Sequence, residues 1–282
     1  MRVLITGASG RVGRELVKVF TAAGHQVSAP TSDVLDVTDW MSVWNAVHAL
    51  APDVVVNSAA WTDVDACQGD PDKAERVNGR AVVYLVEAAK AVGAHVCHLS
   101  TDYVFDGRKT GPYVEDDETN PLSVYGWSKL LGEAALRPHD TLIRTSWIVA
   151  RHGQSIVTNV LSQLSLRDQF YVDDQRGSPT IASDLAGKVL ELAEARLGGV
   201  FHVTNQGGAT WFELARATME SLRLAPTRIK PITAAQLNPP RKAPRPANSE
   251  LDNAALRREG LALLPHWREP LDRLVMDIVY DR

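Results

Sequence analysis

The sequence predicts a doubly wound α/β fold, a parallel sheet with helices on both faces, together with a smaller, discontinuous C-terminal lobe. Short apolar runs alternate with segments of helical periodicity through the N-terminal part of the chain, as expected when crossover helices join parallel strands. A glycine-rich loop at residues 7–13 directly follows the first apolar run. This order of strand, glycine loop and helix is typical of a Rossmann-like sheet.

The strands are predicted at short segments rich in apolar residues, which suits strands that are buried on both faces. They are residues 1–6, 26–30, 34–37, 53–57, 95–99 and 199–203. Helices are predicted among and after them at residues 72–91, 155–166, 183–195 and 210–222. Strands and helices that alternate in this way specify a parallel sheet with crossover connections.

The glycine loop has the spacing G-x-x-G-x-x-G, formed by Gly7, Gly10 and Gly13. Glycines at this spacing let the backbone turn tightly and come close to a pyrophosphate group at the N-terminus of the next helix. An acidic residue usually follows the second strand when NAD is selected, but residues 30–32 read Pro-Thr-Ser. Arg11 could face an adenosine 2′-phosphate, which favours NADP; the alternative interpretation is a solvated arginine.

Two further stretches carry groups suited to catalysis. Ligands of a doubly wound sheet bind beyond the carboxyl ends of the strands, where Ser100 and Thr101 follow the strand at 95–99. Either hydroxyl could donate a hydrogen bond to a substrate oxygen, although a capped turn would have the same sequence. Tyr125 and Lys129 share one helix face, and a cation beside a phenol lowers the pKa of that phenol. An unrelated pair on a helix surface is the alternative.

Composition argues against several classes of function. The 282 residues carry a net charge of -4 with acidic and basic residues mixed, which argues against a nucleic-acid partner. No apolar run reaches membrane-spanning length and no signal sequence precedes the first strand, so we expect a cytoplasmic protein without a membrane partner.

Cys67 and Cys97 lack disulfide or metal-ligand spacing and are expected to be reduced. No metal site is predicted, and four histidines are expected to have no catalytic or metal-binding role. These are His95, His98, His202 and His266.

The glycine loop, the Ser-Thr-Asp-Tyr-Val-Phe block at 100–105 and the Tyr-x-x-x-Lys pair, in this order, resemble the extended short-chain dehydrogenase/reductase superfamily. Within it the chain is similar to the dTDP-4-dehydrorhamnose reductase family. Supporting stretches, which span nearly the whole chain, are residues 57–65, 77–78, 144–147, 173–180 and 245–249. The blocks at 100–105 and 173–180 are far more specific than the glycine loop. Ser155-Ile156 departs from the Asn-Phe pair expected in the family, which leaves the detail of the sugar contacts open.

The resemblance implies NAD(P)H-dependent reduction of the C4 ketone of dTDP-4-dehydro-L-rhamnose, a dTDP-linked 4-keto-6-deoxy sugar, to dTDP-L-rhamnose. It implies that Tyr125 donates the proton, that Lys129 lowers the pKa of Tyr125 and binds the nicotinamide ribose, and that Thr101 bonds the ketone oxygen. Donors aimed at an oxygen that gains negative charge stabilise the transition state more than the ground state, in agreement with these roles. NADPH is the preferred cofactor on this interpretation, and NADH is possible.

The resemblance also assigns binding residues. Those expected at the cofactor, besides Tyr125 and Lys129, are Gly7, Ser9, Gly10, Arg11, Val12, Gly13, Asp36, Val37, Ala59, Ala60 and Thr62. Those expected at the substrate are Asp102, Tyr103, Trp147 and Arg245. By residue type, Arg241, Lys242 or Arg245 could meet the diphosphate of the sugar nucleotide, because guanidinium geometry suits a diphosphate. A solvated linker is the alternative for their basic, proline-rich segment.

A dinucleotide-binding domain is expected at residues 1–150 and 178–203, and a substrate-binding lobe at 151–177 and 204–282. A homodimer is compatible with the sequence. Two other functions remain open: a related sugar-nucleotide 4-ketoreductase of different stereochemistry, and a non-catalytic, dinucleotide-binding regulatory subunit. The intact catalytic side chains argue against the regulatory subunit, and the lack of a Glu beside Asp102 argues against a dehydratase.

Overall fold

The computed structural model of the chain describes residues 1–164 and 168–280. Its strands are β1 Arg2–Thr6, β2 Gln26–Ser28, β3 Val54–Asn57, β4 His95–Thr101, β5 Thr141–Thr145, β6 Ile148–Val149, β7 Gln169–Val172, β8 Arg176–Gly177, β9 Thr180–Ile181, β10 Gly199–His202, β11 Ala209–Thr210 and β12 Ile229–Ile232. Its α-helices are α1 Arg11–Ala22, α2 Trp40–Leu50, α3 Val64–Gly69, α4 Pro71–Glu75, α5 Ala81–Ala91, α6 Val124–Glu133, α7 Ile156–Ser162, α8 Ala182–Ala195, α9 Trp211–Ser221, α10 Ala254–Arg258 and α11 Arg268–Tyr280. Within the described ranges, no helix is both long enough and apolar enough to cross a lipid bilayer.

Six strands form one parallel sheet in the order β10-β5-β4-β3-β1-β2. Apolar residues of neighbouring strands are in register, so that Val3 lies opposite Val54 and Val56 lies opposite Cys97. The strand order reverses between β1 and β3, which is the point where doubly wound sheets bind ligands beyond the carboxyl ends of their strands. The predicted doubly wound parallel sheet is therefore confirmed.

Side chains of the central strands alternate between two faces, and helices cover each face. On one face Val3 of β1 packs in an apolar cluster with Leu16 of α1 and with residues of α8. On the other face Leu4 packs with Val47 of α2 and Leu85 of α5. Successive residues of one strand thus belong to two separate cores, and the sheet lies between them.

Two strand predictions need correction. Residues 34–37 form a turn instead of a strand, because the Asp36 carboxylate accepts hydrogen bonds from the backbone N–H and the hydroxyl of Thr38 at 2.8 Å and 2.7 Å. Such local bonds offer the backbone an alternative to a sheet ladder. An unpredicted strand, β5, lies between β4 and β10, and the strand at His95–Thr101 is the fourth along the chain, not the fifth.

The helix predicted at 72–91 contains a π-helical segment, Arg76–Arg80, between α4 and α5. Such segments widen one turn of a helix and often occur at functional sites. Here Asn78 donates hydrogen bonds to the Trp61 carbonyl and to Ser128 Oγ, both at 3.0 Å. The π-helical segment therefore connects α6 to the loop that follows β3.

A further apolar cluster lies in the C-terminal half of the chain. Helices α7, α9 and α11 enclose side chains that include Leu214 and Leu271. Helix α7 begins where a helix is predicted at 155–166 and covers Ile156–Ser162. The last two positions of that prediction lie outside the described residues. This cluster is distinct from the two cores of the sheet.

Helix α6 is tied to the sheet by a buried ion pair. Arg144 of β5 donates to both carboxylate oxygens of Glu133 on α6, with Nη2 at 2.7 Å from Oε2. Ser100 at the end of β4 donates to the same carboxylate at 2.5 Å. Arg144 and Glu133 are both buried, so each charge depends on the other for compensation. The network holds α6 over β4 and β5.

We expect Arg144→Met to lower the free energy of unfolding by about 3 to 5 kcal/mol, because it leaves the Glu133 carboxylate buried without its partner. Urea unfolding followed by circular dichroism measures the change. The matched control is Arg80→Met, which removes the exposed partner of Glu75 and should change the unfolding midpoint little. Equal losses of stability in the two variants would contradict the role given to the buried pair.

Candidate active site

One cavity of about 280 Å³ opens at the carboxyl end of β4, beside the glycine loop and helix α6. This is the edge where doubly wound sheets bind their ligands. The predicted site residues that line it are Arg11, Val12, Ala60, Thr62, Thr101, Asp102, Tyr103, Tyr125, Lys129 and Trp147. The structure therefore brings the predicted catalytic residues and most of the predicted substrate residues into one cavity.

Helix α6 places Tyr125 and Lys129 at this cavity. Ser123 caps the helix, because its hydroxyl accepts a hydrogen bond from the N–H of Gly126 at 3.2 Å. Gly126 allows close packing, since a Cβ at this position would lie 2.1 Å from the carbonyl oxygen of Tyr103. The first turn of α6 therefore rests directly on the backbone that follows β4.

Lys129 is almost completely buried. Its Nζ donates a hydrogen bond to the Leu99 carbonyl at 2.6 Å and lies 3.3 Å from Nε2 of His98. Burial lowers the pKa of Lys129 to about 8, while the Glu133 carboxylate acts in the opposite direction. The amine can therefore change its charge close to neutral pH.

Burial raises the pKa of the Tyr125 phenol above its ordinary value; a hydrogen bond with Thr101 lowers it, and the Asp102 carboxylate raises it further. The expected lowering of this pKa by Lys129 is not what the structure shows, because burial dominates and the amine is directed to the Leu99 carbonyl. The phenol consequently holds its proton at neutral pH. That is the form a proton donor requires.

Thr101 and Asp102 form a buried hydrogen-bonded unit with Ser146. Thr101 Oγ1 donates to Asp102 Oδ1 at 3.0 Å, and Ser146 Oγ donates to Asp102 Oδ2 at 2.9 Å. Burial raises the pKa of Asp102 to about 6, against hydrogen bonds that favour the carboxylate. The unit holds the Thr101 hydroxyl beside the phenol of Tyr125.

Trp147 stacks on Trp211 to form an aromatic part of the cavity lining. The ring centroids are 3.5 Å apart and the ring planes differ by 8°. The Trp147 backbone has a φ of 42°, a left-handed conformation that is rare for a bulky residue and common at functional sites. Gly177 makes room for the indole, because a Cβ there would lie 2.4 Å from Trp147 Cε2. This contact explains the glycine of the block at 173–180.

The glycine loop fits a pyrophosphate group. Gly7 has a φ of 70°, and a Cβ at this position would lie 2.5 Å from the backbone nitrogen of Ala59. A Cβ at Gly13 would lie 2.1 Å from the carbonyl oxygen of Gly7. Helix α1 is capped by Gly10 without a side-chain hydrogen bond, so the N–H groups of its first turn can bind an anion. The residues present therefore suit a dinucleotide.

Arg11 lies at the catalytic end of the site. Its Nη1 donates to the carbonyl groups of Ile148 and Gln154 at 3.0 Å and 3.2 Å, and the residue lines the cavity with Tyr125. An adenosine ribose is expected near the end of β2 instead. The position of Arg11 therefore gives no support to the predicted contact with a 2′-phosphate.

The predicted residues outside the cavity lining are Gly7, Ser9, Gly10 and Gly13 of the glycine loop, Ala59 beside it, and Asp36, Val37 and Arg245. The carboxylate of Asp36 is engaged by Thr38, and Val37 packs against the core between the sheet and α2. Arg245 forms a bidentate ion pair with Asp65, at distances of 2.7 Å and 3.0 Å. Cofactor contacts of Asp36 and Val37 and a substrate contact of Arg245 stay predictions.

Among the residues that sequence reasoning did not assign to the site are Thr145, Ser146, Trp211 and His98. Thr145 ends β5, so predicting that strand would have placed it at the carboxyl edge of the sheet. Trp211 and His98 carry no local signal, because their partners Trp147 and Lys129 are distant in sequence. In the described part of the chain, no group of His, Cys, Asp or Glu side chains is arranged to hold a metal ion.

Comparison with known proteins shows similarity over the whole chain. The family model described as RmlD substrate binding domain matches residues 1–279. A dTDP-4-dehydrorhamnose reductase of Streptomyces griseus is 41% identical over 280 residues, covering 96% of this chain and 91% of that protein. A dTDP-4-keto-6-deoxy-D-glucose reductase of Streptomyces niveus is 38% identical over 275 residues, covering 96% and 95%. The crystal structure of a Bacillus anthracis dTDP-4-dehydrorhamnose reductase in complex with NADP has a TM-score of 0.92 at 29% identity, covering 98% and 99%.

We expect Gly13→Ala to weaken the binding of a nicotinamide dinucleotide by about tenfold or more, because the new methyl group would collide with the Gly7 carbonyl. Gly187→Ala is the matched control, since this helical glycine has no atom of a neighbouring element within 4 Å of its Cβ position. Fluorescence titration with NADPH measures both variants. Unchanged affinity in Gly13→Ala would mean that the glycine loop does not hold the pyrophosphate.

Proposed function

The chain belongs to the family of the RmlD substrate binding domain, and on that premise we propose that it reduces dTDP-4-dehydro-L-rhamnose at C4 to dTDP-L-rhamnose. Its broader class, an NAD(P)H-dependent sugar-nucleotide ketoreductase, follows from its relatives. The sugar, the proton donor Tyr125 and the preference for NADPH are the finer parts of the proposal.

The observation that carries the proposal is the cavity shared by Thr101, Tyr125 and Lys129, beside a glycine loop that suits a dinucleotide. Reduction of a ketone requires a hydride at the carbonyl carbon and a proton at the carbonyl oxygen. For delivery of the proton to the carbonyl oxygen, Tyr125 offers a neutral phenol, Thr101 a fixed hydroxyl and Lys129 a buried amine. A regulatory subunit that only binds a dinucleotide would not need the neutral phenol or the fixed hydroxyl.

The chemistry of this chain's own residues follows from their environment. When bound, the reduced nicotinamide supplies the hydride. The Tyr125 phenol donates to the ketone oxygen as it gains negative charge, and the Thr101 hydroxyl can join it by turning its hydrogen from Asp102 to this oxygen, which stabilises the transition state. Tyr125 gives its proton to this oxygen, since burial keeps the phenol protonated beforehand. Lys129 binds the ribose hydroxyls and, as an ammonium group, stabilises the phenolate that remains.

For the cofactor we propose a preference for NADPH, with NADH also accepted. Residues 29–32, which follow β2, contain no carboxylate that could select the ribose 2′-hydroxyl of NAD. The relative from Bacillus anthracis binds NADP. Arg11 does not add to this preference, because it lies at the catalytic end of the cavity.

For the substrate we propose that the sugar lies against Trp147, with Asp102 and Tyr103 shaping its pocket. Thr145 is a lining residue whose buried Oγ1 has no hydrogen-bond partner among the described residues. Buried polar atoms are normally paired, so a hydroxyl or carbonyl of the ligand is the natural partner.

The two parts of the chain would divide the work of binding. We propose residues 1–150 and 178–203 as the dinucleotide-binding domain, and residues 151–177 and 204–282 as the substrate-binding lobe. The apolar cluster of α7, α9 and α11 supports this division, and Trp211 at the start of α9 extends from it into the cavity lining.

A second candidate is a ketoreductase that yields the other configuration at C4. Ser155 and Ile156 line the cavity at positions where Asn and Phe are expected in the family. The relative from Streptomyces niveus, named as a dTDP-4-keto-6-deoxy-D-glucose reductase, agrees with this alternative. Pocket shape decides which face of the ketone meets the hydride, so identification of the product separates the two candidates.

We expect Tyr125→Phe to lower kcat by about 10²- to 10⁴-fold, because the ring still packs against Tyr103 but has no proton to give. The affinity for NADPH should be nearly unchanged. Absorbance assays and fluorescence titration measure the two quantities. Tyr171→Phe is the control, since it removes a phenol that bonds Gln169 in β7, and it should keep the wild-type rate. A rate above about a tenth of wild type in Tyr125→Phe would show that another group donates the proton.

A further inference from the structure

A chain of buried hydrogen bonds crosses three strands and ends at Lys129, and the proposed reaction does not account for it. Thr6 Oγ1 on β1 donates to Asn57 Oδ1 on β3 at 2.6 Å, and Asn57 Nδ2 lies 3.0 Å from His98 Nδ1 on β4. His98 Nε2 lies 3.3 Å from Lys129 Nζ. All four side chains are buried, so each polar atom must be satisfied inside the protein.

The backbone of Ala59 decides which way the Asn57 amide faces. Its N–H donates to Asn57 Oδ1 at 3.2 Å, and a backbone N–H is a donor in every protonation state. If the amide were reversed, its NH₂ group would oppose this N–H. Asn57 Nδ2 therefore donates to His98, so Nδ1 of His98 is an acceptor without a proton. A neutral His98 then carries its proton on Nε2.

The Nε2–H of His98 is directed at Lys129 Nζ, which must accept it. The same Nζ donates to the Leu99 carbonyl at 2.6 Å. An uncharged amine satisfies both contacts, because its lone pair accepts from His98 and one of its hydrogens goes to the carbonyl. An ammonium group has no lone pair and would place donor against donor. The geometry therefore matches an uncharged Lys129.

The ionisable groups around Lys129 agree with this assignment. Burial lowers the pKa of His98 well below its ordinary value, so the imidazole is neutral, and burial lowers the pKa of Lys129 to about 8, so the uncharged amine predominates above that pH. Glu133 on the same helix raises the pKa of Lys129, but Arg144 of β5 already binds the Glu133 carboxylate. Tyr125 stays neutral through burial. Among the described residues, no further charged side chain shifts the Lys129 pKa.

We propose that His98 is a positioning residue that keeps Lys129 uncharged in the free protein at mildly alkaline pH, and that dinucleotide binding there draws one proton from solution onto the amine. The inference rests on the proposed function, in which ribose hydroxyls offer acceptors to Lys129. The proton adds to the lone pair of Nζ, the bond from His98 Nε2–H is broken, and the side chain gains one positive charge. Binding should therefore weaken as the pH rises above about 8, where the free amine has no proton.

The protonation of His98 is tested in the free protein. NMR spectra of protein with ¹⁵N-labelled histidine report which ring nitrogen carries the proton, and His98→Gln identifies the signal. We expect the proton on Nε2, without titration between about pH 6 and pH 9. A proton on Nδ1, or formation of an imidazolium ion in this range, would overturn the proposal. This result does not depend on whether any sugar is reduced.

Proton uptake is measured by calorimetric titration with NADPH at about pH 9, in two buffers of different ionisation enthalpy. At this pH the 2′-phosphate is fully ionised, so it does not contribute. We expect the wild type to take up about one proton per NADPH bound. A glutamine at position 98 can turn its carbonyl oxygen to Lys129 and favour the ammonium form, so His98→Gln should take up less than about a third as much.

The matched control is His95→Gln, which changes another buried histidine of β4, bonded to Thr141 and away from Lys129. It should keep the wild-type uptake. Uptake near zero in the wild type, or equal uptake in the wild type and His98→Gln, would overturn the proposal. If NADPH binds with uptake of a proton but no dTDP-sugar is reduced, the proposed function fails while the role of His98 stands. Absence of NADPH binding would overturn both.

Discussion

The close approach of helix α6 to strand β4 is the constraint on which the site depends. A Cβ at Gly126 would lie 2.1 Å from the carbonyl oxygen of Tyr103, directly after β4, so only glycine permits this packing. The ion pair between Glu133 and Arg144 fixes the end of the helix. Packing at this distance buries the phenol of Tyr125 and the amine of Lys129, and burial disfavours the charged form of each. The neutral phenol is then ready to give a proton.

The cavity also depends on contacts between distant parts of the chain. The strained backbone of Trp147 persists because Gly177 leaves room for the indole and Trp211 stacks on it. Trp147 lies between β5 and β6, Gly177 lies in β8 and Trp211 lies in α9. The lining is therefore complete only when the C-terminal half has packed on the sheet. Binding of a substrate against Trp147 would therefore depend on both the sheet and the C-terminal half of the chain.

The fold and the place of the site could be predicted because the signals are local. Two patterns can be recognised without knowledge of tertiary contacts. They are the glycine loop after the first strand and the spacing that puts a tyrosine and a lysine on one helix face. The strand predicted at 34–37 is wrong because apolar composition does not reveal the bonds that Asp36 makes to Thr38. The pKa of Tyr125 could not be predicted, since burial is a property of packing. The link from His98 to Lys129 likewise depends on the register of β4 against α6.

The most direct test of the central claim is a reduction assay with purified protein, NADPH and dTDP-4-dehydro-L-rhamnose, in which loss of nicotinamide absorbance is followed and the product is identified by NMR. If the proposed reaction is correct, NADPH is consumed in step with formation of dTDP-L-rhamnose, and faster than NADH at equal concentration. A product with the other configuration at C4 would instead assign the chain to the alternative ketoreductase. No oxidation of either cofactor, although one binds, would contradict the proposed reaction.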